Sequence, residues 1–332
     1  MRGIHLRNPG ELELEELDWN ISLLEDEVKI KLIYGGICGS DIGVYNGKIQ
    51  HAKYPVRPGH ELVGRILEAG KNVTFAPDTK VVITPNTFCG ECDNCLNGHK
   101  NICIHKQSLG VNVDGIFSEE IIINAKYVLP IPEEISDEEA VLVEPLAVIV
   151  HAFQKANIQK GTKVGVIGCG TEGMLTVALA VFLGAEVTAI DINPKKLENA
   201  KSSYNVNTLL AHEIQNETFD VVIEAAGDKR AVEQAIGIVK KGGKIILIGL
   251  TPEATLPIVQ IVRNEITIHG SIIYNFPEDF SRSVGYLIEE KFNIKPVISK
   301  IFPLEEFKEA YVLAVSGQSG KILIDFKGDK NL

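Results

Sequence analysis

The chain has 332 residues, 45% of them apolar, and a net charge of −11. That length allows two domains of ordinary size, each with its own core, and the composition excludes a disordered or collagen-like chain. The acidic balance argues against a nucleic-acid partner, which needs clustered Lys and Arg to displace counterions.

The most apolar stretch, residues 174–183, falls well short of the ~20 residues that a membrane-spanning helix needs. The polar and acidic segment after Met1 has no apolar signal-peptide core. A soluble, cytoplasmic protein with no membrane partner is expected. In chain order, residues 1–145 read as β-rich with Gly and Pro turns. Val28, Ile30 and Leu32 alternate with Lys29 and Lys31, the period-two pattern of a half-buried strand. Val81-Val82-Ile83, Ile121-Ile122-Ile123 and Tyr127-Val128-Leu129 are further short strands between turn residues. From about residue 160, strands and helices alternate: strand 163–167, helix 173–183, strand 186–190, helix 195–204, strand 219–223, helix 231–239 and strand 244–248. That spacing marks a parallel sheet covered by helices. The tail is mixed, with helices near 279–290 and 304–315 and a final strand, 321–326, placed to rejoin the first domain.

Gly168-Cys169-Gly170-Thr171-Glu172-Gly173 is a G-x-G-x-x-G that follows a strand and opens a helix. A second strand then ends at Asp191. In this context Gly168 permits a tight turn, Gly170 lets backbone approach a pyrophosphate, and Gly173 lets helix and strand pack closely. The loop Gly168, Gly170, Thr171, Glu172 and Gly173 is the candidate cofactor cradle, with free helix N–H groups facing the phosphates. A negative side chain at Glu172 must point away from them. A glycine-rich helix start without a ligand is the alternative. Asp191 would accept hydrogen bonds from the adenosine ribose and repel a 2′-phosphate. Ile192-Asn193-Pro194 supplies no Arg to hold that phosphate, so NAD is expected over NADP. Otherwise Asp191 caps the helix starting near Pro194. Cys169 reads as a small space-filler.

Cys89, Cys92, Cys95 and Cys103 lie within fifteen residues, on a loop rich in Gly, Asn and Asp. Four thiolates close a tetrahedral Zn²⁺ shell and leave no open position, the pattern of a structural zinc. Reactive thiols or disulfides, an iron–sulfur cluster and a nucleic-acid-binding zinc ribbon are the weaker readings. A second set is more ambiguous. Cys38 and His60 are good zinc ligands, with Glu61 or another carboxylate as a third, in a site open to exchange. A buried structural Cys38 and a core-satisfied His60 explain the same residues equally well.

Taken together, Gly36-Ile37-Cys38-Gly39-Ser40-Asp41, Gly59-His60-Glu61-Leu62-Val63-Gly64, the four-cysteine loop, Glu144-Pro145-Leu146-Ala147 and the glycine fingerprint resemble the zinc-dependent medium-chain dehydrogenase/reductase family, nearest its sorbitol (polyol) and threonine branch. The resemblance implies an α/β protein built from a GroES-like catalytic domain, residues 1–146 completed by 276–332, and a Rossmann doubly wound parallel sheet over 147–275. It implies two Zn²⁺ per chain and NAD. Cys38, His60 and Glu61 would be catalytic-zinc ligands, and Glu144 either a fourth ligand or a hydrogen-bond partner of bound water. Asp41 would hold the His60 tautomer and Ser40 would pass the alcohol proton towards solvent. The bland readings are an exposed turn carboxylate for Asp41, a turn serine for Ser40 and a surface acid for Glu144. The implied reaction is hydride transfer from a secondary alcohol or polyol to NAD by a homodimer or homotetramer. L-Threonine or an aldose is the alternative substrate, and a dinucleotide sensor without catalytic zinc is the non-enzyme alternative. Two departures stand out. Gly43 replaces the His often found five residues after the catalytic Cys, and Ile273-Tyr274 lacks the Arg of polyol enzymes, leaving Tyr274 as a pocket residue or a packed one.

Overall fold

The alternation at Val28, Ile30 and Leu32 is the buried face of an eleven-residue strand, Glu27–Ile37, around which the first half of the chain is organised. The computed structural model describes residues 1–18 and 21–328, and the chain divides into two units. One contains Met1–Glu144, Asn275–Ile288 and the chain from Ile298; the other contains Pro145–Tyr274 and Glu289–Val297.

In the first unit β1 (Arg2–Leu6) and β2 (Leu12–Glu16) form an antiparallel hairpin. The remaining strands are β3 (Glu27–Ile37), β4 (Glu61–Ala69), β5 (Lys80–Ile83), β6 (Glu120–Asn124), β7 (Val128–Pro130) and, after the second unit, the last two strands of the chain. Helices α1 (Gly39–Tyr45), α2 (Asp93–Leu96) and α3 (Asp137–Ala140) are short, and α4 (Val143–Ala156) starts at the unit boundary.

The second unit carries β8 (Lys163–Ile167), β9 (Glu186–Asp191), β10 (Asn207–Leu210), β11 (Phe219–Glu224), β12 (Val239–Leu247) and β13 (Thr267–Gly270). Its helices are α5 (Thr171–Phe182), α6 (Pro194–Tyr204), α7 (Lys229–Ile238) and α8 (Ile258–Arg263). The six strands form one parallel sheet in the order β10-β9-β8-β11-β12-β13, the doubly wound arrangement. Ile167, Ile190, Val222, Ile236 and Ile245 fill the core beside it.

The tail returns with α9 (Glu278–Leu287), β14 (Ile298–Pro303), α10 (Phe307–Val315) and β15 (Lys321–Asp325). The first unit's seven-stranded sheet runs β14-β15-β3-β4-β5-β7, with β6 also paired to β3. The final strand therefore rejoins the first unit. Ile322, Ile324 and Phe326 share its core with Ile30, Leu32 and Phe117, and the rings of Phe117 and Phe326 lie 5.9 Å apart. One segment of the tail differs from the expected division. Glu289–Val297 belongs to the second unit, where Phe292 packs edge-on against Phe182 at 5.3 Å and Ile294 and Val297 are buried. Among the described residues no helix is long and apolar enough to cross a membrane.

Candidate metal centres and cofactor loop

Cys92 caps the N-terminus of α2, and that single turn folds Cys95 back toward Cys89. The four ligand sulfurs of Cys89, Cys92, Cys95 and Cys103 lie within 4.8 Å of one another. Sγ–Sγ distances are 3.6 Å for Cys89–Cys103 and 3.9 Å for both Cys89–Cys95 and Cys92–Cys103. A regular tetrahedron with zinc–sulfur bonds of 2.3 Å has edges of about 3.8 Å, so the cage fits the ion. All six cysteines are free of disulfides. N–H groups of Cys95 and Ile104 pull the Cys92 thiol down to about 6, whereas burial pushes Cys95 up to about 12; a divalent cation offsets the second effect.

The second cluster is assembled by strand pairing. β3 runs antiparallel to β4 with Gly36 opposite Glu61. Cys38, just past the end of β3, therefore meets His60 and Glu61 at the start of β4. One ligand atom from each of the three lies within 4.8 Å of the others. Gly36 is required here, because a methyl group on it would sit 2.2 Å from Glu61 Oε2.

Asp41 is 1% exposed, which removes the reading of an exposed turn carboxylate. Its Oδ2 accepts from the Cys38 N–H at 2.9 Å and its Oδ1 from the Gly59 N–H at 3.0 Å. Oδ1 also lies 3.3 Å from His60 Nδ1, close but short of an aligned hydrogen bond. Burial opposes ionisation of Asp41, yet the His60 ring and the two N–H groups outweigh it and hold the carboxyl below its usual range. Burial likewise disfavours protonated His60, but Asp41 and Cys38 together raise it well above the usual histidine range. With Nδ1 turned to Asp41, Nε2 is the nitrogen left for a metal. Ser40 Oγ stands 3.3 Å from that atom, on the same side of the ring. Glu144 is buried in the first turn of α4, so it is no surface acid, and it lies outside the three-residue set.

Sequence reasoning missed one member of this site. Lys321, 1% exposed, places Nζ 2.5 and 2.6 Å from the two carboxylate oxygens of fully buried Glu61 and 3.2 Å from the Ile37 carbonyl. β15 pairs with β3 so that Ile322 faces Ile37, which carries Lys321 to the metal end of the sheet. The available signal was a lysine heading the apolar run Ile322-Leu323-Ile324.

In the second unit β8 runs into Gly168, whose φ of +94° forms the turn, and Gly170 is the N-cap of α5. A methyl group on Gly173 would lie 1.7 Å from the Gly168 carbonyl oxygen, whereas one on Gly170 would meet nothing within 4 Å. The loop thus has the close packing and the open approach that a pyrophosphate requires. Thr171 and Glu172 form the first turn of α5. Asp191 ends β9, with Oδ2 accepting from the Cys169 N–H at 2.7 Å and Oδ1 from the Asn193 N–H at 2.8 Å. Asn193, rather than Asp191, caps α6. Cys169 is buried, and that burial pushes its thiol up to about 12, which suits a space-filler. Tyr274 is buried, at 2% exposure.

Comparison with known proteins finds relatives along most of the chain. Residues 24–133 match the alcohol dehydrogenase GroES-like domain and residues 173–289 the zinc-binding dehydrogenase domain. A sorbitol dehydrogenase of Halalkalibacterium halodurans is 33% identical over 90% of this chain and 91% of its own length. The chain belongs to the zinc-containing medium-chain alcohol dehydrogenase family. An L-threonine 3-dehydrogenase of Chromobacterium violaceum is 30% identical over 91% of this chain and 93% of its own. Among solved structures, a zinc-binding dehydrogenase from Sinorhizobium meliloti bound to NADP superimposes with a TM-score of 0.91 at 26% identity, covering 98% of both chains. A short chain alcohol dehydrogenase from Escherichia coli, complexed with NADH, gives 0.89 at 27% identity, covering 98% of this chain and 99% of its own. The protein is an oxidoreductase, a zinc-dependent dehydrogenase with the four-cysteine structural site and a Cys/His/Glu site of catalytic type.

Proposed function

We propose that this dehydrogenase oxidises a secondary alcohol or polyol to a ketone or aldehyde, with NAD as hydride acceptor. The convergence of Cys38, His60 and Glu61 beside Ser40 carries this reading. Zinc held by those three residues, with Glu144 as a fourth ligand or a partner of bound water, supplies Lewis-acid stabilisation of the negative charge that develops on the alcohol oxygen. Asp41 fixes the His60 ring through its Nδ1 side, and so keeps Nε2 directed at the metal. Half-buried Ser40 takes the hydroxyl proton on Oγ and passes it to solvent, a route that needs no His at position 43. The dinucleotide lies along Gly168, Gly170, Thr171, Glu172 and Gly173, with its ribose on Asp191.

Preference for NAD over NADP follows from the Asp191 carboxylate at the end of β9. L-Threonine is the second substrate reading, favoured by the relative of 30% identity. Retention of Cys38, His60 and Glu61 weighs against a sensor without catalytic zinc. Edge strand β13 and the exposed Ile258, Val259 and Val262 of α8 support a homodimer or homotetramer, which sedimentation would count. Six cysteines without a disulfide among them fit a reducing, cytoplasmic compartment. The test is an NADH absorbance screen over polyols, diols, threonine, sugars and simple alcohols, with and without a chelator. Turnover abolished by chelation is expected; no turnover, or chelator-insensitive turnover, overturns the proposal.

A further inference from the structure

In the second unit β8 lies between β9 and β11, and this is where the strand order reverses. Open α/β sheets bind their ligands at that point, beyond the carboxyl ends of the strands. One wall of the opening is the glycine loop after β8. The other is the loop after β11, and the last residue of that strand is Glu224.

Glu224 is 0% exposed. Its Oε1 accepts from the N–H groups of Ala226 and Gly227, both at 2.8 Å. Its main-chain carbonyl accepts from Ile248 at 2.9 Å and Gly249 at 3.0 Å, in the segment leaving β12. One residue therefore ties two exit loops together. Its Oε2 is enclosed yet has no hydrogen-bond partner among the described residues. That oxygen faces Gly249, where a methyl group would lie 2.5 Å from Oε2 and 2.3 Å from the Gly227 nitrogen. On the far side, a methyl group on Gly168 would lie 2.7 Å from the Ala226 nitrogen. The loop that Glu224 holds is thus in direct contact with the first fingerprint glycine.

A buried carboxyl with one oxygen unpartnered is costly, and a turn of backbone hydrogen bonds would close the same loop without that cost. Burial pushes the Glu224 carboxyl up, with Asp228 acting in the same sense, against the N–H groups of Gly227, Ala226 and Asp228. Such a group at the mouth of a ligand crevice calls for a role in the ligand's fit.

We infer that Glu224 is the positioning residue of the dinucleotide crevice: its carboxyl group sets the spacing among the β11 exit loop, the β12 exit loop and Gly168, and thereby the affinity for the nicotinamide dinucleotide. The inference rests on the reading of the chain as a dinucleotide-binding dehydrogenase. It places Glu224 away from the reacting atoms, so cofactor affinity changes and hydride transfer does not.

The test uses the zinc-loaded full chain and titrates NADH by its fluorescence. Glu224→Ala removes the acceptor for two backbone N–H groups, and the NADH Kd should rise on the order of tenfold, with zinc content unchanged. Glu224→Gln keeps an acceptor oxygen for both N–H groups and should stay within about threefold of wild type. Gly249→Ala pushes the two loops apart without altering Glu224 and should weaken NADH as Glu224→Ala does; it carries the test if the latter does not fold. With an alcohol that turns over, KM for the dinucleotide should rise while kcat holds. Wild-type NADH affinity in Glu224→Ala and Gly249→Ala overturns the inference, as does a Gln variant as weak as the Ala variant, or loss of zinc and kcat alongside affinity. A wild-type chain that binds neither NADH nor NADPH overturns the dinucleotide reading itself, and this inference with it.

Discussion

Replacing Lys321 by Met should be among the most damaging single changes in the first unit. Met keeps most of the packing of the lysine stem but removes the charge. Glu61, 0% exposed, then loses the ammonium that sits 2.5 and 2.6 Å from its two oxygens. Removing one partner of a buried ion pair costs about 3–5 kcal/mol, because the remaining charge is left without compensation. At about 2–4 °C per kcal/mol for a unit of this size, the midpoint of thermal unfolding should fall by roughly 6–20 °C. Urea titration should show the same loss as a shift of midpoint with the slope preserved. The double variant Lys321→Met/Glu61→Gln should recover the greater part, since it removes the orphaned charge. Zinc at the Cys38 site should shrink the penalty of the single variant, because the ion supplies Glu61 with another positive partner. A single variant within about 1 kcal/mol of wild type after the Cys38 site is emptied, or a double variant no better than the single, refutes the reasoning.

Three further outcomes follow from the geometry. Asp41→Asn replaces one of the two oxygens that accept from Cys38 and Gly59 and removes the negative charge beside His60, and zinc affinity at the second site should drop about 10–100-fold in a competition assay. Cys95→Ser opens the four-sulfur cage, so metal analysis should fall by one zinc per chain while the Cys38 site stays loaded. The third concerns pH. Glu224 has its carboxyl raised in the folded state, so its contribution to stability is full below the unfolded value of about 4.3 and is lost as pH rises through the folded value. Glu224→Gln should therefore gain stability relative to wild type on moving from acid to neutral pH, measured by urea titrations at several pH values; a gap that stays constant counts against the burial argument.

Sequence pattern revealed most of the architecture because its signals were local. The β8–α5–β9 unit was readable from the glycine loop and the apolar runs beside it, and the four-cysteine cage from spacing alone. α5 begins at Thr171 rather than 173 because Gly170 supplies the N-cap. α4 was hidden by its own burial: Val143, Leu146, Ala147, Ile149, Val150 and Ala152 are all buried, leaving only a weak polar face to mark the period. The second metal site was half legible. Cys38, His60 and Glu61 were visible as residue types, but their meeting depends on the β3–β4 register, which no local pattern encodes. Lys321 and Glu224 act through partners that strand pairing and loop closure bring to them, so neither stood out as a motif.

The Glu61–Lys321 pair joins residues 260 apart in the chain. During synthesis the emerging first unit must hold Glu61 without its counter-charge while the whole second unit is made, and only the last strand delivers it. Assembly of this metal centre therefore waits until β15 has been made. A nascent chain released anywhere before β15 would carry Cys38, His60 and Glu61 yet lack the neutralising charge and the strand that seals them. Such a fragment leaves the Glu61 charge uncompensated, whereas a chain that includes β15 closes the site.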